Sequence, residues 1–321
     1  MGTVVQSDRP HLVVTGAGGF LGEAIIRAAL ARGLAVTGIL RGPARWDASA
    51  LPNLTLLTHD LAQTDVAQLA MHLDGADAIV HAAGEMSSDA ERHARSTLPA
   101  TQTVCQTAAQ IGAHLVHISS ISVYDYMQVD EGGFLNEDTP IERAPEARDG
   151  YVAAKLEQEA IVAQLCPEAS VLRVGALLGP GRGWNAHLGI GAGPVLLQLA
   201  ARGQVPVCDV RTCAEIAIQA ALGKAPGAVN VLDKDLPTRT RFVEAFAKSG
   251  WPRLVVPVPW KLLDVAGRLL GPWAGRPGLL RRAVLHARIK PIGYDTARLE
   301  AGFDVPDRSF GSAMREALRD D

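Results

Sequence analysis

No Cys-x-x-Cys spacing occurs among the four cysteines, Cys105, Cys166, Cys208 and Cys213. That argues against a zinc site, and four thiols do not form the disulfide framework of a small secreted domain. They read as reduced thiols, and the cytoplasm is the expected location. The nine histidines show neither helical nor paired ligand spacing, so no metal is expected. Lys and Arg form no dense block and the net charge is −3, which argues against a nucleic-acid partner. Long apolar runs are also missing. The longest candidate, around 254–273, is broken by prolines, Lys261, Asp264 and Arg268, so no membrane span is expected. The opening residues MGTVVQSDRPH hold no hydrophobic signal region, and Gln6 stands where a myristoylation signal has Ser or Thr. Repeats and low-complexity tracts do not stand out. What remains is a globular composition, 48% hydrophobic and 20% charged, over 321 residues. That length suffices for two domains or one large one.

The most informative feature present is HLVVTGAGGFLG at 11–22. The run Leu12-Val13-Val14 suits a buried parallel strand, and EAIIRAALARG after Gly22 suits a helix. Between them, Gly16 permits a tight turn, Gly19 lets backbone approach a pyrophosphate, and Gly22 lets the helix pack closely on the strand. An anion is then held at the helix N-terminus by backbone N–H groups and the positive dipole end.

The first half alternates apolar runs with helical patterns. Strands are expected at 11–15, 34–40, 54–58, 77–81, 114–119 and 170–174, with helices at 21–32, 63–73, 97–112 and 151–166. This alternation predicts an α/β fold, a doubly wound parallel sheet with helices on both faces. The second half reads differently. Residues 179–183 and GIGAGP at 189–194 look like loops. Shorter elements follow: VPVCDV at 205–210, a helix over 213–222, AVNVL at 228–232, and helices over 238–249 and 259–271. The expected division is a dinucleotide-binding domain over 1–175 and a smaller, mostly helical substrate lobe over 176–321, with 205–232 as a segment that could return to the main sheet. In the 259–271 helix, Trp260, Leu262, Leu263, Ala266, Leu269 and Leu270 should lie opposite Lys261, Asp264 and Arg268. A core-facing helix is the preferred reading, ahead of a membrane-surface one.

Tyr151 and Lys155 are four apart in a helical segment and share a face. Ser119 and Ser120 end the strand HLVHIS, at the sheet edge where such folds bind ligands. Serine, tyrosine and lysine there suit carbonyl chemistry. A free phenol titrates near 10 and is a poor base at neutral pH, but a nearby ammonium, together with an oxidised nicotinamide, favours the phenolate. The serine can hold a substrate oxygen while the tyrosine moves a proton.

TGAGGFLG, HAAG (81–84), HISSISVY (117–124), YVAAK (151–155) and LRVGALLGPG (172–181) occur in that order, followed by DVR (209–211), GAVNVL (227–232) and GYDTARLEAGFDVP (293–306). In this the chain resembles the extended short-chain dehydrogenase/reductase family, the group containing NAD-dependent epimerases and dehydratases, over essentially its whole length. The resemblance implies a Rossmann sheet and residue roles. Ser120 matches the catalytic serine, with Ser119 as the less favoured neighbour. Tyr151 matches the catalytic tyrosine and Lys155 the lysine that holds the nicotinamide ribose. Gly16, Gly19, Phe20, Leu21 and Gly22 match the phosphate-binding turn. Asp60, followed by Leu61, matches the acid that contacts adenine, and Ala82, Ala83 and Gly84 the segment under the cofactor. His81 and His117 read as satisfied core. A homodimer through two long helices is the expectation by the same analogy.

Departures from the family sharpen the reading. Leu40 stands where NAD-preferring members end the second strand in an acid; Arg41 follows and Arg45 is near. An arginine there can pair with a 2′-phosphate, so NADP is the preferred cofactor and NAD the alternative. Ala176 replaces an asparagine that contacts sugar nucleotides in many members. Met86, Ser87, Ser88, Trp184, Asn185, His187 and Arg211 are candidate substrate contacts. The first reading is therefore an NAD(P)-dependent oxidoreductase that interconverts a carbonyl and an alcohol on a small hydrophobic, non-nucleotide substrate. The alternative is a nucleotide-sugar epimerase or dehydratase that retains its cofactor. A third, a non-catalytic dinucleotide-binding regulator, fits poorly with a complete Ser120, Tyr151 and Lys155 set.

Overall fold

The computed structural model describes residues 9–44, 46–48, 51–145, 148–270 and 278–319. Seven strands form the main sheet: β1 (His11–Thr15), β2 (Ala35–Leu40), β3 (Leu54–Thr58), β4 (Ala78–His81), β5 (His114–Ser120), β6 (Ser170–Val174) and β7 (Gly227–Val231), in the order β7-β6-β5-β4-β1-β2-β3. The pairs β1–β2, β2–β3, β1–β4 and β4–β5 are parallel. Leu12, Val13 and Val14 are essentially inaccessible, as expected of a central strand covered on both faces. β3, at the edge, is partly exposed along its length. The strand order reverses between β1 and β4, which is where open α/β sheets place ligands.

Helices α1 (Phe20–Ala31), α2 (Val66–His72), α3 (Leu98–Ile111), α4 (Gly150–Leu165) and α5 (Val210–Gly223) match the helical periods read from sequence. α2 starts later than the pattern suggested because Asp65 caps it, its side chain accepting from the Gln68 N–H. Its neighbour α3 is preceded by a π-turn at His93–Thr97 and ends at Gly112 in the left-handed conformation. Apolar positions of β1, β2, β4, β5, α2, α3 and α4 meet in one cluster that includes Val13, Ile39, Leu69, Ile79, Val104, Leu115 and Val162.

The chain divides into two compact units, one of residues 1–119, 154–172 and 213–229, the other of residues 120–153, 173–212 and 230–321. The second unit carries helices at Arg239–Phe246, Trp260–Leu269, Arg282–Ile289 and Phe310–Ala317. It is less purely helical than the sequence suggested. Gly189–Ala192, expected as loop, is a strand antiparallel to Val195–Gln198, which pairs in parallel with Leu254–Pro257. The glycines suggested a break, yet ladder pairing needs only backbone groups. The segment 205–232 splits. Gly227–Val231 joins the main sheet as β7, whereas Val207–Asp209 pairs with Ala176–Leu178. The helix Trp260–Leu269 also corrects its expected faces. It buries Trp260, Asp264 and Gly267 and leaves Leu262, Val265 and Leu269 exposed. Asp264 can be buried because Arg268, Arg282 and His286 all bond to it.

Candidate active site

Beyond β1 the backbone turns at Gly16 with φ +70°, and a Cβ there would come within 2.9 Å of the Ala83 backbone. Gly22 is equally constrained, since its Cβ would lie 2.2 Å from the Gly16 carbonyl oxygen. Only glycine lets β1, α1 and the segment after β4 approach this closely. The N-cap of α1 is Gly19, which offers no side-chain cap to the first turn. Along this turn runs a groove of about 630 Å³ lined by Gly16, Gly18, Gly19, Arg41, Asp60, Leu61, Ala82, Ala83 and Gly84, among others. Phe20, Leu21 and Gly22 lie in the first turn of α1 rather than in the lining. An uncapped helix N-terminus, a side-chain-free turn and polar groups farther along the groove fit the nicotinamide dinucleotide that the sequence resemblance implies.

Sequence reading missed several lining residues: His59, Glu85, Ser96, Thr97 and Ala100. Glu85 is the consequential one. Arg41 Nη2 lies 3.3 Å from Glu85 Oε1, and Nη1 is 3.4 Å from Ser96 Oγ. These partners are 44 and 55 positions away, beyond any local pattern. Arg45 lies outside the described residues. Asp60 lines the groove while its carboxylate accepts from the Ala62 N–H and from Gln63 Nε2.

The serine, tyrosine and lysine sit where strand and helix ends put them. Ser120 terminates β5 and caps the following 3-10 turn, accepting from the Ser122 N–H at 3.2 Å. Its hydroxyl also bonds the Tyr151 phenol, at the start of α4. Burial raises the phenol's pKa above its ordinary value, and the Ser120 bond pulls it back only in part. One turn on, Lys155 Nζ donates to the Ile118 carbonyl at 2.8 Å. Burial lowers this ammonium to about 8, and Glu159 opposes the shift. Ser119 is engaged elsewhere, donating to Glu159 Oε1 at 2.5 Å.

Beneath the groove lies a buried chain of neutral hydrogen bonds. The Ala83 N–H donates to Thr15 Oγ1 (3.2 Å), which meets His81 Nδ1 at 2.8 Å. His81 Nε2 meets Thr101 Oγ1 at 3.1 Å, and that oxygen also accepts from Gln158 Nε2 (2.7 Å) while donating to the Thr97 carbonyl. Counting donors leaves one tautomer for His81: Nδ1 accepts and Nε2–H donates. Burial, then Lys155, lowers its pKa to about 3, so it is a neutral connector of the floor of the groove to α3 and α4. His117, stacked on His81 at 5.7 Å, corrects the sequence reading. It is buried, but neither ring nitrogen has a hydrogen-bond partner. The strand's own backbone pairing fixes its position, and the side chain lies against the His81 ring.

Candidate substrate contacts have diverse settings. Met86 is 82% exposed. Trp184 packs edge-on against Trp251 and beside Phe246. Asn185 caps a 3-10 turn by accepting from the His187 N–H, and burial near Arg239, Arg288 and Arg148 lowers His187 to about 3. Arg211 is ion-paired with Asp209 and Glu316. Ala176 pairs with Val207 through its backbone.

Comparison with known proteins gives the chain its relatives. A 2-alkyl-3-oxoalkanoate reductase of Shewanella oneidensis is 33% identical over 133 residues, 40% of this chain and 33% of the relative, so the chain spans about a third of that relative's length. A UDP-N-acetylglucosamine 4-epimerase from Methanobrevibacter ruminantium M1, solved with UDP-N-acetylmuramic acid, superposes with a TM-score of 0.71 at 18% identity, covering 97% of both chains. A UDP-glucuronic acid 4-epimerase from Bacillus cereus, solved with NAD, gives 0.68 at 17% identity, covering 96% of this chain and 97% of the other. At such identities these two structures speak for the fold. Among the described residues no helix is long and apolar enough to cross a membrane, and no cluster of His, Cys, Asp and Glu could hold a metal. The profile of the NAD-dependent epimerase/dehydratase family matches residues 12–207, more than half of the sequence, and the chain belongs to that family.

Proposed function

We propose that this chain is a nucleotide-sugar epimerase or dehydratase that works by reversible hydride transfer to a nicotinamide dinucleotide retained through turnover. The family match supports this over the net reductase that the sequence alone put first. The observation that carries the chemistry is the hydrogen bond between Ser120 and Tyr151, on the helix that presents Lys155 one turn later. When bound, the nicotinamide supplies the hydride acceptor.

Tyr151 takes the proton from a sugar hydroxyl as the carbon is oxidised and returns it when the carbonyl is reduced. It does so as the phenolate, which the Ser120 hydroxyl favours by donating to the phenolate oxygen; an oxidised nicotinamide beside the Lys155 ammonium would favour it further. Lys155 has three donors, one of which goes to the Ile118 carbonyl, so its head is aimed by the backbone of β5. Gly16, Gly19 and Gly22 with the first turn of α1 hold the pyrophosphate, Asp60 and Leu61 border adenine, and Ala82–Gly84 form the floor. A cytoplasmic location belongs to the same proposal and rests on the cysteine pattern; no disulfide joins the described thiols.

A second reading keeps two specific supports. Ala176 lacks the amide that would meet a sugar nucleotide, and the curated relative named above is a reductase. Under that reading the same three residues reduce a carbonyl on a more apolar substrate and the cofactor exchanges each cycle. The test is to denature purified protein, quantify released NAD(H) and NADP(H), and then assay a panel of UDP- and dTDP-sugars beside a panel of ketones. Near-stoichiometric retained cofactor with an altered sugar product is the expected result. An empty protein that consumes reduced cofactor only with ketones would overturn the leading reading in favour of the second.

A further inference from the structure

Folds of this kind that select NAD end their second strand in an acid, which binds the adenosine ribose hydroxyls. β2 ends instead in Leu40, and the next residue is a cation, Arg41. The structure nonetheless brings an acid to this corner. Glu85 follows Gly84 in the segment after β4, and its carboxylate reaches Arg41 at 3.3 Å. Both residues, with Ser96, line the groove. Glu85 is the more firmly held partner: its side chain is 23% exposed against 62% for Arg41, and its N–H donates to Thr97 Oγ1 at 3.3 Å. Asp60, the other carboxylate in the lining, is committed to Ala62 and Gln63. Glu85 is therefore the acid that answers Arg41.

We propose that Glu85 is the specificity-determining residue of the groove, supplied from the β4 segment instead of the end of β2, and that it selects NAD over NADP. This rests on reading the groove as a dinucleotide site. An arginine alone welcomes a 2′-phosphate, since its fork matches the phosphate oxygens. An arginine already facing a carboxylate does not, because one cation would serve two anions and the phosphate would repel Glu85. A ribose 2′-hydroxyl carries no charge and offers a donor that the carboxylate can accept. The arginine then steadies the acid.

The experiment is a binding titration of NADH and NADPH, read by nucleotide fluorescence, against the unmodified protein, Glu85→Gln, Arg41→Ala and the double variant. The unmodified protein should bind NADH at least tenfold more tightly than NADPH. Glu85→Gln should gain tenfold or more in NADPH affinity with NADH changed less than threefold, and adding Arg41→Ala should remove that gain. Arg41→Ala alone should weaken NADPH further. Equal affinities in the unmodified protein, or a Glu85→Gln ratio within threefold of the original, would overturn the assignment while leaving the dinucleotide site standing. Failure of every protein to bind either nucleotide would overturn the groove reading itself, and this proposal with it.

Discussion

The two units of the chain stabilise their polar interiors by different means. In the unit holding the groove, the buried polar chain Ala83–Thr15–His81–Thr101–Gln158 is neutral, and close backbone approach at Gly16 and Gly22 does the shaping. The other unit relies on charge. Arg239, 1% exposed, donates to the carbonyls of His187, Arg202, Arg288 and Lys290. Asp209 meets Arg211 and Arg308, and Asp264 meets Arg268, Arg282 and His286. Neutral networks tolerate pH change and fail when geometry changes. Networks of buried charge hold loops of any sequence together, at the risk that loss of one partner strands the rest.

The largest expected effect lies in the chemistry. Tyr151→Phe keeps the ring and removes the proton carrier, so turnover should drop by about two to four orders of magnitude with cofactor binding retained. Steady-state kinetics beside a cofactor titration checks this, and near-normal turnover would remove Tyr151 from the mechanism. Next comes the charge-held unit. Arg239→Met leaves several buried carbonyls without a donor and should cost about 3 kcal/mol, since each stranded group costs about 1–3 kcal/mol. Urea unfolding measures the loss. A change under about 1 kcal/mol would mean that these contacts do not hold the loops.

A third effect is in pH. Burial brings Lys155 from 10.5 to about 8. The ammonium persists below about 8 and is lost as pH rises through it, so activity should fall on the alkaline side with a midpoint near there. Stability runs the other way. Between about 8 and 10.5 the unfolded lysine still holds a proton that the folded one has released, so this group's contribution to stability rises with pH in that window. Glu159→Gln removes the charge that props up the ammonium and should move the activity midpoint lower. An unmoved midpoint would separate Glu159 from Lys155. The smallest expected effect is none: the His81 ring should keep its Nε2–H form from pH 5 to 8, visible as invariant ring nitrogen shifts. A titration in that range would contradict the neutral network.

The same contrast explains what could be read in advance. β1 through β6 and the glycine turn were legible because burial on both faces leaves uninterrupted apolar runs, and because a tight turn at Gly16 admits only glycine. Ser120, Tyr151 and Lys155 were legible from local spacing. Glu85 was not, because its partner Arg41 is brought beside it by the pairing of β2, β1 and β4. The strand at Gly189–Ala192 was hidden because glycines pair through backbone alone. The burial of Asp264 was hidden because, besides Arg268 one turn on, its partners Arg282 and His286 come from a different helix, 18 and 22 residues on.

The most direct test of hydride transfer at Tyr151 is to mix cofactor-loaded protein with nucleotide sugars and follow the absorbance of reduced nicotinamide within a single turnover. A transient rise in the unmodified protein, absent from Tyr151→Phe with its cofactor still bound, is the predicted result. A rise of equal size and rate in both proteins would contradict the account.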